Sequence, residues 1–214
     1  MRVLILGAGG HAQVVADALL RRRFGGQDIE PIGYLDDDPT LLGKEYLGLR
    51  VLGAISQLTG FEHDAVVVAL GENSTRRRVF RELGSRDVQF VNAIHPSAIL
   101  APDVKLGVGV MAMAGVVVNT GTIIGDAVIL NTSCSVDHHG VIGSHAHLAP
   151  GVHVGGDVTI GEGALLGVSA SVSPGQRVGA WSIVGAGSCV VSGIPASVTA
   201  VGVPARVIER REIR

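Results

Sequence analysis

Aromatic residues are nearly absent from this chain: one Trp, two Tyr and four Phe among 214 residues, 3% in all. An interior so poor in rings has to be filled with small aliphatics. Cysteine is as scarce. Cys134 and Cys189 show neither metal-ligand nor paired spacing, so they read as reduced core residues. Charge of either sign is lacking: 17 Lys and Arg stand against 19 Asp and Glu, for a net charge of −2. The basic residues gather into no stripe, which argues against a nucleic-acid partner. The opening aliphatic run, Val3 to Leu6, breaks at once into glycines. It is far too short for a signal peptide, so a soluble, cytoplasmic protein without membrane insertion is expected. What the chain does have is glycine, 31 residues, and aliphatics within a hydrophobic fraction of 47%.

Those aliphatics are ordered. Stepping six residues at a time from Ile94 meets Leu100, Leu106, Ala112, Val118, Ile124, Leu130, Val136, Ile142, Leu148, Val154, Ile160, Leu166, Val172, Val178, Val184 and Val190. Chance would give such an unbroken apolar series with a probability on the order of one in a million. A longer beat lies over it: Leu106-Gly107, Ile124-Gly125, Ile142-Gly143, Ile160-Gly161 and Val178-Gly179 recur every eighteen residues, three hexads. A coil with three flat faces explains both periods, because one aliphatic per face points inward and stacks on its counterpart in the next coil. Four residues after the stacked aliphatics stand small residues such as Val116, Thr122, Cys134, Gly140, Ala146 and Ala164, which suit a narrow prism. An ordinary parallel sheet with crossover helices would need helical periodicity that this stretch lacks.

The first ninety residues read differently. Arg2 to Leu6 is a strand, Gly7-Ala8-Gly9-Gly10-His11-Ala12 a glycine-rich turn, and Gln13 to Arg22 a helix. Such a turn lets backbone amides at a helix N-terminus approach a phosphate. The pattern is weak as letters alone, and a tight turn without ligand fits it too. Pro31 to Leu35 reads as a second strand running into Asp36-Asp37-Asp38-Pro39, where an acid can accept hydrogen bonds from a ribose or a base, or simply solvate a turn. Ala65 to Leu70 is a third strand and Thr75 to Leu83 a helix, on which at least two of Arg76, Arg77 and Arg78 are expected to face solvent. Val88 to Ile94 is expected as a last strand. The expected division is a half-Rossmann-like α/β domain over 1–92, with room for one nucleotide rather than NAD, followed by an all-β parallel β-helix over 93–214.

Five of the eight histidines fall together, His138, His139, His145, His147 and His153. Catalytic base, metal ligands and polar prism surface are the three readings open to them. The stretch Asn131-Thr132-Ser133-Cys134-Ser135-Val136-Asp137-His138-His139-Gly140-Val141-Ile142-Gly143, with the Gly9-Gly10-His11 turn and Leu35-Asp36-Asp37-Asp38, resembles the bacterial nucleotide-sugar N-acetyltransferases of the hexapeptide-repeat superfamily. These acetylate UDP-4-amino-sugars or GDP-perosamine and are related to the sialic acid O-acetyltransferases. The resemblance covers essentially the whole chain.

That resemblance implies a left-handed β-helix, acetyl-CoA as co-substrate, a nucleotide-sugar as partner, a role in polysaccharide biosynthesis and a homotrimer. It implies His138 as the general base and Asn131 as a residue holding the reacting groups. His147 and Gly156 would lie at the acetyl-CoA site, the latter with its backbone N–H on the thioester carbonyl. Gly9, Gly10, His11, Asp36 and Asp37 would bind the nucleotide-sugar, and Gly202, Pro204 and Arg206 would close the CoA site. The family usually has Glu directly after its catalytic His, whereas this chain has His139. Asp137 is the candidate acid in its stead, although strand alternation would point it away from His138.

The chemistry is coherent from the residues alone: an imidazole titrating near neutrality can deprotonate an attacking amine, and a backbone donor can stabilise the oxyanion. No metal is expected. Carbonic anhydrases on a like solenoid use a His pair five residues apart, a spacing this cluster lacks. A non-catalytic nucleotide-sugar sensor would not need His138 or Gly156, and a nucleotidyltransferase would need a Thr-Arg after its glycine loop. Direct transfer is expected over an acyl-enzyme, because Cys134 falls at an inward position. Amine and hydroxyl acceptors remain alternatives, including O-acetylation of a sialic-acid-type sugar.

Overall fold

The computed structural model describes residues 1–86 and 88–210, in two compact units that divide after Pro96. No helix among the described residues is long and apolar enough to cross a membrane.

The first unit is built on a buried parallel sheet. Strand β1 (Arg2–Leu6) lies between β2 (Glu30–Leu35) and β5 (Ala65–Val68). Val3 to Leu6 and Ala65 to Val68 are all buried, as expected of strands covered on both faces. Helix α1 (Gly10–Phe24) follows β1 and buries Ala12, Val15, Ala16, Ala18 and Leu19. Helix α2 (Asn73–Gly84) follows β5 and sets Val79 and Leu83 in one cluster with Leu4, Leu6, Val66 and Val68.

Two features differ from the sequence expectation. A hairpin, β3 (Glu45–Tyr46) and β4 (Leu49–Gly53), extends the sheet in the order β3-β4-β2-β1-β5. It escaped the sequence reading because its two-residue turn is Leu47-Gly48, at φ 53° and 76°, and not the Asn-Gly that usually announces this turn. Val88 to Ile94 is not one strand: Phe90 makes a single bridge to Val66, and Ala93–Ile94 is a separate two-residue strand. Of the three adjacent arginines at the start of α2, Arg76 is wholly buried, Arg77 half-buried and Arg78 exposed. The Arg76 guanidinium donates to the carbonyls of Leu70 and Gly71 at 2.9 and 3.3 Å and to Asn73 Oδ1 at 2.9 Å, which fixes the loop after β5.

The second unit is the parallel β-helix. Its rungs are two-residue strands, every one paired in parallel with the rung eighteen residues away. Three stacks of aliphatics fill the prism. Val118, Val136, Val154, Val172 and Val190 form one; Ile124, Ile142, Ile160 and Val178 form the second; Leu130, Leu148, Leu166 and Val184 form the third. All are buried. The small positions between them, from Val110 to Ala170, are buried too, Thr122 and Cys134 included. The last face ends in Val198–Val201, on which Arg206–Arg210 folds back antiparallel.

Each stacked aliphatic touches neighbours above and below, so shortening one leaves a gap that rigid coils cannot close. Leu148→Ala is expected to cost about 2–5 kcal/mol, read as a lower urea midpoint at unchanged m.

Candidate active site

In the first unit the glycine-rich turn joins β1 to α1. Gly7 has φ +104°, and a Cβ there would meet the Ala69 carbonyl oxygen at 3.0 Å, so no other residue fits. At Gly9 and Gly10 the same test finds open space, and no side chain caps the N-terminus of α1. Asp36 Oδ2 accepts from the Ala8 N–H at 2.7 Å, and its Oδ1 from the Asp38 N–H at 2.9 Å. It therefore ties the turn to the end of β2. Asp37 accepts from the Ile55 N–H at 2.9 Å and Asp38 from Thr40, so all three acids of this run hold backbone as well as charge. The turn and the Leu70–Asn73 loop flank the carboxyl ends of β1 and β5, where open α/β sheets place ligands.

His11 begins the exposed-to-buried transition of α1. Burial, with the nearby Arg76 charge adding to it, pushes its imidazole down to about 4. Folded His11 is thus neutral down to about pH 4, while the unfolded chain takes up this proton near pH 6.5. Between those values the unfolded state binds more protons, so stability falls as pH falls. His11→Gln is expected to remove that part of the acid sensitivity, seen by comparing urea midpoints at pH 7 and pH 5.

In the second unit one corner of the prism carries the chemistry. Residues Asp137 to Gly140 turn between the rungs Ser135–Val136 and Val141–Ile142. His139 sits there at φ 56°, and the residues one coil away at this position, Gly121 and Asp157, also have positive φ. Coil stacking therefore sets Gly156 over His138 and Asp157 over His139. The Asp157 N–H donates to the His138 carbonyl at 2.9 Å. A Cβ on Gly156 would come within 2.5 Å of His138 Nε2. Glycine at this position is what leaves room for the imidazole.

The sequence left open which acid serves His138. Asp137 does not meet the ring: its carboxylate accepts from Asn119 Nδ2 at 2.9 Å and from the His138 N–H at 2.8 Å. Those bonds, Asn119 first, hold it below the usual carboxylate range. The ring's Nδ1 lies 3.1 Å from His139 Nδ1 and 3.9 Å from Asp157 Oδ2. Asp157 was missed in the sequence, yet adding one coil to His139 lands on it. Elsewhere in the cluster, His145 is buried, His153 is exposed and bonds Ser135 Oγ at 2.8 Å, and His147 Nε2 lies 3.3 Å from Asn131 Nδ2. Asn131 and His147 thus form a second pair, at the preceding corner of the coil. A groove of about 450 Å³ runs beside the His138 turn, lined by the polar side chains of Asn119, Ser135, Asp137, His153 and Ser171 and by Val154 and Val172. Gly202, Pro204 and Arg206 lie in the closing segment, which is bonded to the last coil through Cys189: its N–H donates to the Gly202 carbonyl at 3.0 Å, and its carbonyl accepts from Ala205.

Beneath the turn sits a buried hydroxyl. Thr122 Oγ1 donates to the Asp137 carbonyl at 3.0 Å and accepts the Gly140 N–H at 3.3 Å, clamping both ends of the segment that presents the two histidines. Burial pushes the inward Cys134 thiol up to about 12, which removes it as a nucleophile near neutral pH.

A hexad-built parallel β-helix with a polar histidine turn, carried with a Rossmann-like α/β unit, defines a hexapeptide-repeat transferase. Residues 2–83 match the PglD N-terminal domain. PerB from Caulobacter crescentus, solved in complex with CoA and GDP-perosamine, is 41% identical over 97% of both chains, with a TM-score of 0.88. The acetyltransferase domain of PglB from Neisseria gonorrhoeae, solved with acetyl coenzyme A, is 31% identical over 97% of this chain and 98% of that one, with a TM-score of 0.89. UDP-N-acetylbacillosamine N-acetyltransferase of Bacillus subtilis is 38% identical over 116 residues, 52% of this chain. The matched stretch is 51% of that protein, and only 20% of an uncharacterized protein of Acanthamoeba polyphaga mimivirus. The chain belongs to the bacterial nucleotide-sugar N-acetyltransferases, and its β-helix is of the left-handed kind.

Replacing Thr122 by Val keeps the shape and removes the clamp, leaving a buried carbonyl and N–H without partners. A loss of about 1–3 kcal/mol is expected, measured by urea denaturation.

Proposed function

We propose that this protein transfers acetyl from acetyl-CoA to the amino group of a nucleotide-linked amino-sugar, directly within a ternary complex. The observation that carries the reading is the fit of the His138 imidazole against Gly156, which supports a general base working beside a backbone donor. In the tautomer that carries its proton on Nδ1, which lies 3.1 Å from His139 Nδ1, His138 keeps the Nε2 lone pair on the side of Gly156. It would take the proton from the sugar amine as the nitrogen attacks the thioester carbon. The Gly156 N–H would stabilise the oxyanion, which then collapses with cleavage of the C–S bond, and the leaving thiolate is protonated. The high thiol pKa of Cys134 supports direct transfer over an acyl-cysteine.

Asn131 and His147 would act at the acetyl-CoA site, with Gly202, Pro204 and Arg206 near its adenine end. Gly9, Gly10, His11, Asp36 and Asp37 would hold the nucleotide-sugar. The open space at Gly9 and Gly10, at an uncapped helix N-terminus, supports a diphosphate there. Support for the substrate class also comes from PerB, whose solved complexes with CoA and GDP-perosamine include variants with one histidine replaced by Asn or Ala. The protein would work in the cytoplasm as a homotrimer. Ile123 and Val141, stacked and exposed on one solenoid face, suit side-by-side packing of prisms.

Thiol release from acetyl-CoA with a panel of UDP-, GDP- and dTDP-linked amino-sugars tests this. Turnover is expected with at least one of them, and His138→Ala should lower kcat by about 10²- to 10⁴-fold. Undiminished turnover in that variant would remove His138 as the base.

A further inference from the structure

The corner that carries His138 gathers three ligand-type side chains at one point of the surface. His138, His139 and Asp157 are exposed, and one donor atom of each lies within 4.8 Å of the others. The 3.1 Å between the two Nδ1 atoms suits a shared hydrogen bond. It equally suits two lone pairs converging on one ion. With metal–nitrogen bonds of about 2.05 Å, that spacing subtends about 98°, between octahedral and tetrahedral values. The Asp157 carboxylate is 69% exposed and lies 3.9 Å from His138 Nδ1, with all three ligand atoms within 4.8 Å of one another; moving this exposed side chain by about 1–1.5 Å brings an oxygen to the ~3.3 Å from both nitrogens that a tetrahedral ion requires.

We propose that His138, His139 and Asp157 form a binding site for a divalent transition ion of the Zn2+ type, and that the bound ion inhibits the enzyme. Two imidazoles, one carboxylate and a position open to water suit Zn2+, Co2+ or Ni2+; Mg2+ and Ca2+ prefer all-oxygen sets. Inhibition follows from the tautomer. The Nδ1 lone pair of neutral His138 forms the dative bond, so the single ring proton resides on Nε2. That nitrogen then has no lone pair for the amine proton. Binding rests on the geometry alone, whereas inhibition rests on His138 being the base.

The test uses untagged, full-length protein stripped with chelator and dialysed. Co2+ is titrated in and followed by visible absorption, and Zn2+ by calorimetry, for wild type, His139→Asn and Asp157→Asn. Asparagine tolerates the positive φ of both positions, 56° and 58°. One ion per chain is expected, with affinity weakened at least tenfold in each variant and no heat from Mg2+. Acetylated product, followed by chromatography because Zn2+ also binds thiols, should fall at least tenfold at saturating Zn2+ and recover with chelator. Equal affinity in all three proteins, or no Co2+ band at millimolar concentration, overturns the site. Binding that leaves turnover intact overturns the inhibition, and His138→Ala decides separately whether His138 is the base.

Discussion

The register of one coil on the next, fixed at eighteen residues, is the constraint on which this molecule depends. It comes from backbone hydrogen bonds such as Asp137 N–H to the Val154 carbonyl, and from the stacking of identical aliphatics beneath them. Because that ladder repeats without a bulge from Ile99 to Val190, a residue's neighbours in space follow from its number. His138 meets Gly156, Asp157 comes one coil on from His139 and within reach of both histidines, Ser135 meets His153, and Asn119 meets Asp137. A narrow apolar core thereby positions polar side chains on its outside to within hydrogen-bonding tolerance.

The corner itself shows how the interior serves the surface. Thr122 is a polar residue in a file of Val, Cys and Ala, and its hydroxyl is spent on the turn above it. Gly140, in the same file, lets the chain pass close over it. The outward histidines are held from below by this clamp and from above by the coil containing Gly156. An imidazole in a turn between two-residue rungs would otherwise have little to restrain it.

Much of this was legible beforehand. The prism, its stacked positions and its small residues were all written in the six-residue period, since each position is set by local sterics. The α/β nature of the first unit was equally plain from its aliphatic runs and glycine turn. The hairpin of Glu45 to Gly53 was not, because Leu47 occupies a backbone conformation that its side chain does not advertise. Which of the three adjacent arginines is buried was not legible, because nothing in the sequence announces the carbonyls that Arg76 meets after folding. Asp157 is implied by the period, one coil on from His139, although nothing adjacent in sequence marks it. The hand of the helix is not encoded in spacing and entered only through likeness to known proteins.

The unbroken ladder also limits how this protein can change. Gain or loss of a single residue anywhere between His139 and Gly156 would rotate every later rung to the wrong face and part the imidazole from its glycine. Length is quantised. The chain can grow or shrink only by whole turns of the prism, and only outside the span that holds the two histidines, the glycine and the aspartate together.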